Sequence, residues 1–233
     1  MSLPIKDEKL KVAEICGGVL EKIIKPISFI NKNPQVFQEV IYVVRAAFGS
    51  EMTEEDIKTH FICPDETYIL FLGQKVGGVG FYTHKKIISE PLLYVEGVAF
   101  HPDMQGHDVF RNLTNQVKRG EEKFLGLKTQ NPRMHRALEK ICSTICPSLD
   151  CEIICSSKNG EDCKISNKLY NIRNNFAKEI NANIDELGVV RGAYGKSLYA
   201  NNIPFHSKSS KLFNKILKLD YLAGDSIVCI GMI

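Results

Sequence analysis

The stretch from Leu93 to Leu113, LYVEGVAFHPDMQGHDVFRNL, decides the fold. Its first part is apolar and rich in strand formers, which predicts a β-strand over Leu92–Phe100. A polar loop follows at His101–Asp108, and apolar residues at helical spacing then predict a helix from Val109 to about Glu122. In a strand–loop–helix unit the free backbone N–H groups of the helix N-terminus can bind an anion. The stretch therefore predicts an anion-binding loop.

The upstream sequence predicts helices, a strand and a hairpin. In order these are an amphipathic helix over Asp7–Ile24, a strand over Ile27–Ile30, and helices over Val36–Phe48 and Thr53–Phe61. A β-hairpin follows, with strands Tyr68–Leu72 and Val76–Lys85 joined by the polar turn Gly73–Lys75. We expect the glycines of its second strand to let another group approach closely: Gly77, Gly78 and Gly80.

Downstream, a strand over Phe124–Thr129 leads to Asn131 and Pro132, a helix cap followed by a first helical residue. That helix is predicted to run to about Ile145. The remaining chain predicts a strand near Glu152–Cys155, a helix over Ile165–Ile180, a glycine-bearing segment Val189–Ala200, a Lys-rich stretch to Leu219 and a strand over Ser226–Ile233.

Composition narrows the function classes. The 233 residues are 44% hydrophobic and carry a net charge of +3, values typical of a globular protein with a sizeable core. This small, evenly spread charge argues against nucleic acid or an anionic membrane as partner. No apolar run is long enough for a membrane span, and the first residues lack a signal-peptide pattern, so we expect a cytoplasmic protein.

Five of the eight cysteines fall within a short segment: Cys142, Cys146, Cys151, Cys155 and Cys163. Their spacings differ from the CxxC pairs of a zinc knuckle, so we expect no metal and interpret most of them as small buried hydrophobic residues. A zinc site remains the alternative. A disulfide framework is not expected in a chain of this size without an export signal.

Three segments resemble the GNAT superfamily of acetyl-CoA-dependent N-acyltransferases. GQKVGGVGFY resembles the family's second hairpin, LYVEGVAFHPDMQGHDVFRNL its fourth strand and pyrophosphate loop, and LKTQNPRMHRALEKI its fifth strand and following helix. The resemblance implies an α/β fold with a mixed, mostly antiparallel sheet flanked by helices. It also implies a single GNAT-like acyltransferase domain over 1–233, with an N-terminal helix at 1–25, the core at 26–145, and C-terminal strands and an inserted helix at 146–233.

The family's loop reads Gln/Arg-x-x-Gly-x-Gly/Ala, and Gln105 matches its first position. Asp108 and Phe110 stand where the two signature glycines are expected. The resemblance implies that acetyl-CoA binds through the loop, through the main chain of the preceding strand and near the asparagine that follows the fifth strand. The implied residues are Val98, Ala99, Phe100, Gln105, Gly106, His107, Asp108, Val109, Phe110, Arg111 and Asn131.

The resemblance also assigns catalytic roles. Glu96 stands where family members carry an acid that faces the acceptor amine, although it could equally point to solvent. Leu138 occupies the position of the usual tyrosine general acid, and Met134 replaces a small residue. Tyr194 and Tyr199 are the alternative acids, with His135 behind them. Asn131 could instead be a plain helix cap, and the segment RGAYGKSLY either a substrate loop or a tight connection.

The implied function is transfer of an acetyl group from acetyl-CoA to a primary amine, with a homodimer as one possible assembly. Two alternatives stay open at this point. A catalytically inactive GNAT-like protein would bind a CoA-like ligand or a protein partner, a hypothesis that the altered loop and Leu138 support. A thiol-dependent enzyme would use Cys142 or Cys155 with a histidine.

Overall fold

The computed structural model describes residues 8–49, 52–149, 160–199 and 202–233, without the side chains of residues 160–166. Over these ranges the fold is α/β, with mostly antiparallel strands flanked by helices, which confirms the predicted fold class. The chain forms two compact units. Unit 1 comprises the described residues within 1–83 and 95–118, and unit 2 comprises those within 84–94 and 119–233.

Unit 1 contains five strands in the order β1-β2-β3-β4-β5. Strands β4 and β5 pass from one unit into the other. The strands are β1 (Lys9–Ile15), β2 (Gly18–Ile23), β3 (Glu66–Leu72), β4 (Lys75–Ile87) and β5 (Glu90–Phe100). The helices are α1 (Pro26–Lys32), α2 (Pro34–Phe48), α3 (Glu54–Ile62), a 3-10 turn (Pro102–Met104) and α4 (Val109–Val117).

The predicted N-terminal helix over Asp7–Ile24 is wrong, because this segment is the hairpin β1–β2. Cys16 and Gly17 both have positive φ, 49° and 77°, and form its two-residue turn. Strand β2 also pairs with β3, from Val19 opposite Phe71 to Ile23 opposite Thr67. Tertiary pairing therefore overrides a helical spacing of apolar residues that was ambiguous over so short a segment.

The predicted strand over Ile27–Ile30 is also wrong, because these residues belong to α1. Pro26 occupies the first helical turn, where its fixed φ is favourable and its missing N–H costs nothing. Phe29 is buried and stacks on Phe61 of α3 at 6.1 Å between ring centroids. The aromatic core of unit 1 thus selects the helix.

Helices α2 and α3 and the hairpin β3–β4 confirm their predictions. Gly49 ends α2 in the left-handed conformation, and Thr53 caps α3 by accepting the Asp56 N–H at 3.1 Å. The groups that approach the glycines of β4 closely are the protein's own side chains. A Cβ at Gly78 would overlap the Phe100 ring, and one at Gly80 would lie 2.9 Å from Leu113.

Two helices end earlier than predicted. Helix α4 ends at Val117 rather than near Glu122, whose carboxylate instead accepts the N–H groups of Arg119 and Gly120, each at 3.0 Å. Helix α5 ends at Ile141 rather than near Ile145, because the following residues form a strand. In both places local hydrogen bonds or strand pairing compete with helix extension.

Unit 2 is organised around its C-terminal strand. Its elements are β6 (Phe124–Thr129), α5 (Pro132–Ile141), β7 (Thr144–Cys146), α6 (Gly160–Glu179), β8 (Val189–Val190), α7 (Ser207–Lys211), a π-helix (Leu212–Ile216) and β9 (Ser226–Met232). Strand β9 pairs antiparallel with β6, β7 and β8. Phe176 of α6 packs with Phe124, Val228 and Ile230 in the core. The predicted strand near Glu152–Cys155 lies outside the described residues.

Candidate functional site

Strand β5 runs directly into a compact loop. Ala99 and Phe100 are buried, Val98 is half-buried, and the His101 N–H donates to the Gly77 carbonyl at 2.9 Å. The Gln105 side-chain amide then donates back to the Phe100 carbonyl at 3.3 Å. The loop is therefore a defined turn that is anchored to the end of the strand.

Two positive φ angles shape the loop before α4. Gly106 has φ 88°, and Asp108 has φ 55° and ψ 20°, so aspartate occupies the left-handed conformation that the family's glycine would adopt. The Asp108 side chain makes no capping hydrogen bond to α4. Its carboxylate instead accepts a hydrogen bond from Arg111 at 3.0 Å. The first N–H groups of α4 are thus not covered by the residue that precedes them.

The second departure from the family's loop also has a structural explanation. Phe110 is 6% exposed and belongs to the core, as does Val109. Its bulk therefore points away from the loop surface. Gln105, Gly106, His107 and Arg111 are exposed, so the surface of the loop consists of backbone and polar side chains.

Cys16, in the turn of the β1–β2 hairpin, contacts the loop. Its Sγ–H donates to the His107 carbonyl at 3.5 Å, and the Asn112 side chain donates to its Sγ at 3.3 Å. The thiol therefore links the loop to the second turn of α4. Sequence reasoning missed this residue, since the segment was assigned to a helix and no local pattern marks the contact.

Glu96 is half-buried on β5 and has a fixed partner. The Thr83 hydroxyl donates a short hydrogen bond to its Oε1, and the Thr83 Oγ1 in turn accepts the Asp65 N–H at 3.2 Å. The carboxylate is therefore held in one orientation by a neighbouring strand. The role of Glu96 as a base stays a prediction.

Asn131 is a helix cap and also contacts a tyrosine. Its Oδ1 accepts the Arg133 N–H at 2.8 Å at the start of α5. Its side chain also hydrogen-bonds the hydroxyl of Tyr199, which is 5% exposed. Burial raises the pKa of Tyr199 above its ordinary value, an effect that outweighs the lowering by Asn131. Two of the predicted site residues in unit 2 thus lie together.

Tyr194 belongs to the same group of side chains. Lys128 Nζ lies 4.9 Å from the centroid of its ring, and the phenols of Tyr94 and Tyr199 are close enough to affect its titration. Burial is the main cause that raises the pKa of Tyr194, and the two neighbouring tyrosines add to it. Both predicted tyrosines are therefore protonated over the physiological pH range.

The segment RGAYGKSLY, which carries these tyrosines, is held in place by the buried carboxylate of Asp225. Asp225 accepts hydrogen bonds from the Gly192 N–H at 2.9 Å and from Arg191 at 2.7 Å. Gly224 packs directly on the backbone of Lys196, where a Cβ would lie 2.6 Å from the nitrogen. The segment is thus a tight connection, and its tyrosines are presented from a rigid backbone.

Three further residues singled out in the sequence are buried: His135, Leu138 and Cys142. His135 is buried between the Pro147 carbonyl at 2.9 Å and the Ser209 hydroxyl at 3.3 Å, and burial lowers its pKa. Leu138 is fully buried, and Cys142 is buried and lies directly against Gly231. Cys151 and Cys155 lie outside the described residues, as does the side chain of Cys163.

The described ranges offer neither a metal site nor a membrane-spanning helix. These ranges contain no cluster of three or more histidine, cysteine, aspartate or glutamate side chains that could hold a metal ion. The helices described here also include none that is long and apolar enough to cross a membrane.

The order of the elements partly matches the predicted order. From β2 the chain runs through α1–α3, the hairpin β3–β4, β5, the loop, α4, β6 and α5. The predicted order has one strand and two helices before the hairpin, whereas the structure has β2 and three helices, because α1 occupies the place of the strand predicted over Ile27–Ile30. From the hairpin β3–β4 to α5 the observed order is the predicted one.

Neither protein-family models nor curated proteins match this chain. Solved structures do match. A Pyrococcus horikoshii protein assigned as an acetyltransferase is 13% identical at a TM-score of 0.42, over 57% of this chain and 46% of its own. An aminoglycoside acetyltransferase from an uncultured soil metagenomic sample is 16% identical at a TM-score of 0.38, over 53% of this chain and 84% of its own. A protein of Desulfovibrio desulfuricans assigned to the GNAT family is 15% identical at a TM-score of 0.37, over 50% of this chain and 85% of its own. The chain thus spans less than half of the first of these proteins.

Proposed function

We propose that this protein is a GNAT-type N-acetyltransferase, which transfers the acetyl group of acetyl-CoA to a primary amine. The observation that carries the proposal is the loop between β5 and α4. Gly106 and Asp108 both adopt positive φ there, and the Asp108 side chain leaves the helix N-terminus uncapped. Successive backbone N–H groups in such a turn, together with the helix dipole, form a site for a pyrophosphate.

The loop's side chains are compatible with an anionic ligand. Arg111 and His107 are exposed beside the turn, and the Asp108 carboxylate is neutralised by Arg111 rather than left as an isolated charge. We propose that the main chain of Val98, Ala99 and Phe100 binds the pantetheine arm as an added strand would. We also propose Asn131 for cofactor contact.

Acetyl-CoA would supply an activated acyl group. The protein would position the amine, accept a proton from it and donate a proton to the departing thiolate. We propose Glu96 as the group that accepts the proton of the amine, since Thr83 fixes its carboxylate. The amine nitrogen bonds to the acyl carbon as the carbon–sulfur bond breaks, and no covalent enzyme intermediate is required.

We propose Tyr199 as the group that protonates the departing thiolate. The Asn131 side chain orients its hydroxyl, and its raised pKa keeps the proton on the phenol until it is transferred. Tyr194 is the second candidate, since its phenol lies beside that of Tyr199. Leu138, at the family's usual position for this acid, is buried and cannot take the role.

Calorimetric titration with acetyl-CoA tests the proposal before any acceptor is known. We expect a dissociation constant in the micromolar range or tighter, equivalent to about −8 kcal/mol. Mass spectrometry of a primary-amine panel that includes aminoglycosides, the named ligand class of one structural neighbour, would then detect acetylated product.

A parallel titration of the Asp108→Gly variant separates the proposal from the alternative of a catalytically inactive protein. If only Asp108→Gly binds acetyl-CoA, the loop of the natural chain is disabled, and the inactive, binding-only alternative is correct. If neither protein binds, the assignment of acetyl-CoA is overturned.

A further inference from the structure

Unit 2 carries a group of polar side chains on one face of the β6–β9 strand pair. Lys128 of β6 lies opposite Val228, and Ser226 lies two residues before Val228 on β9, so both polar side chains are on the same face. Further along this face, Ile230 and Phe176 of α6 pack over Gly126. The polar group thus lies at the end of a hydrophobic contact with α6.

Lys128 is a partly buried cation without a counter-ion. Its ammonium lies over the Tyr194 ring, and no carboxylate in the part of the chain that the structure describes is within ion-pair distance of it. Burial lowers the pKa of Lys128 below its ordinary value. The ring partly compensates the lost hydration of the charge, but an anion would do so more strongly.

Two polar atoms at the same end of this strand pair, one on β9 and one on the residue after β6, are buried without a partner. The Gln130 Nε2 and the Ser226 Oγ make no hydrogen bond, although their residues are only 1% and 0% exposed. The other end of the Gln130 amide accepts the Leu198 N–H at 3.0 Å, which fixes the orientation of the group. An unsatisfied buried donor costs about 1–3 kcal/mol, so such atoms indicate a missing partner.

The group is dominated by donors. Lys128 and the Gln130 Nε2 can only donate, and the Ser226 hydroxyl and the phenols beside Tyr194 can donate as well. Lys128 and Tyr194 are both partly exposed, so a ligand from solvent can reach them. The partner that a cation with several neutral donors recognises is an anionic oxygen group.

We propose that this group of side chains, the Lys128 cluster, binds the carboxylate of a small organic acid. The proposal concerns unit 2 alone and is independent of the proposed acetyltransferase function. Lys128 neutralises the carboxylate, and Gln130 and Ser226 gain the hydrogen-bond partners that they lack.

Calorimetry with small carboxylic acids tests the proposal without turnover. The probes are a panel of N-acetyl amino acids and their carboxamides, titrated with and without CoA. We expect the acids to bind at least about tenfold more tightly than the amides, as for a desolvated ion pair. Lys128→Met should abolish this preference, and Lys128→Arg, which keeps the charge, should retain part of it.

Three results would overturn the proposal: equal binding of acids and amides, a preference that persists in Lys128→Met, or no binding of any acid. A Lys128→Met variant that loses acetyl-CoA affinity instead would assign the cluster to a coenzyme phosphate, which also overturns it. Circular dichroism and the Tm of both variants show that they are folded. Acetyl-CoA binding by the natural protein is measured separately, so failure here leaves the proposed function standing.

Discussion

The carboxylate of Asp108 lies 3.0 Å from the guanidinium of Arg111, three residues further along α4. Both side chains are exposed, so the pair adds little to stability, about 0–1 kcal/mol. The ion pair affects ligand binding instead, because it holds Arg111 beside the loop and partly neutralises the charge of its guanidinium. A ligand phosphate must compete with Asp108 for that charge.

Removal of the Asp108 carboxylate should therefore strengthen acetyl-CoA binding. We expect Asp108→Gly to lower the dissociation constant about tenfold, since it frees Arg111, removes a repulsive charge and suits a positive φ. Calorimetry at low and high salt measures the change, which should shrink as salt screens the charges.

Asp108→Asn is the matched control, because asparagine tolerates the left-handed conformation but carries no charge. It should reproduce most of the gain if charge dominates. Unchanged affinity in both variants would show that the carboxylate does not oppose the ligand.

Cys16 should act as a positioning residue for the loop. We expect Cys16→Ala to weaken acetyl-CoA binding about threefold to tenfold, the value of one lost hydrogen bond. Cys16→Ser should stay closer to the natural protein, because its hydroxyl can donate to His107 and accept from Asn112. Cys63→Ala, at an exposed cysteine, is the control. Equal affinity of the alanine and natural proteins would contradict this role.

Glu96 should affect turnover rather than cofactor binding. Glu96→Gln keeps the shape of the side chain but cannot accept the amine proton, so kcat should fall about 100-fold to 10,000-fold. The dissociation constant for acetyl-CoA should stay within about twofold, since no cofactor contact is assigned to this side chain.

Thr83→Val tests whether the orientation of Glu96 matters, because it removes the hydrogen bond to the carboxylate. We expect a smaller loss of kcat than in Glu96→Gln. Steady-state kinetics with the best acceptor measures both variants, and full activity of Glu96→Gln would exclude this residue as the base.

Much of the fold was predictable because its signals are local. Helix α2 has a clear apolar face and a glycine stop, Thr53 caps the helix predicted to begin there, and Asn131 caps the helix that it was predicted to cap. The N-terminal hairpin was not predictable, because Cys16–Gly17 lacks the Asn–Gly or Asp–Gly signal of a tight turn. Its strands are stabilised by β3, whose residues lie more than 40 positions away.

The candidate site, like the fold, was predictable only where its signals are local in sequence. The loop around Gln105 and Asp108 could be recognised because its residues are consecutive in sequence. Cys16 and Lys128 could not, since each acquires its role from a distant partner, His107 and Tyr194 respectively. Composition and periodicity carry no information about such contacts.

The close approach at Gly78 gives a prediction about stability. A Cβ there would overlap the Phe100 ring and lie 3.1 Å from the Ala99 carbonyl, so Gly78→Ala should destabilise the protein by about 1–3 kcal/mol. Gly97→Ala is the matched control in β5, because its nearest neighbour is a Phe81 ring carbon at 3.3 Å. Urea unfolding measures both variants, and equal losses would show that the Phe100 ring moves aside freely.

Asp225 should make the stability of unit 2 sensitive to acid. Burial alone would raise the pKa of this carboxyl, but hydrogen bonds from Gly192, Asp220 and Arg191 outweigh it and lower the pKa below its ordinary value. The ionised form therefore stabilises the fold above about pH 4, near the unfolded value, and this contribution is lost as pH falls through the folded pKa.

Asp225→Asn removes the charge and one acceptor, so it should cost about 1.5–3 kcal/mol at pH 7, the range for hydrogen bonds to a charged group. Below about pH 4 the carboxyl of the unfolded chain becomes protonated, so the difference between the two proteins should shrink as pH falls toward the lowered pKa of the folded protein. Urea unfolding at pH 7 and at about pH 3 measures it. A difference that is independent of pH would mean that the neutral hydrogen bonds of Asp225, rather than its charge, hold the RGAYGKSLY segment in place.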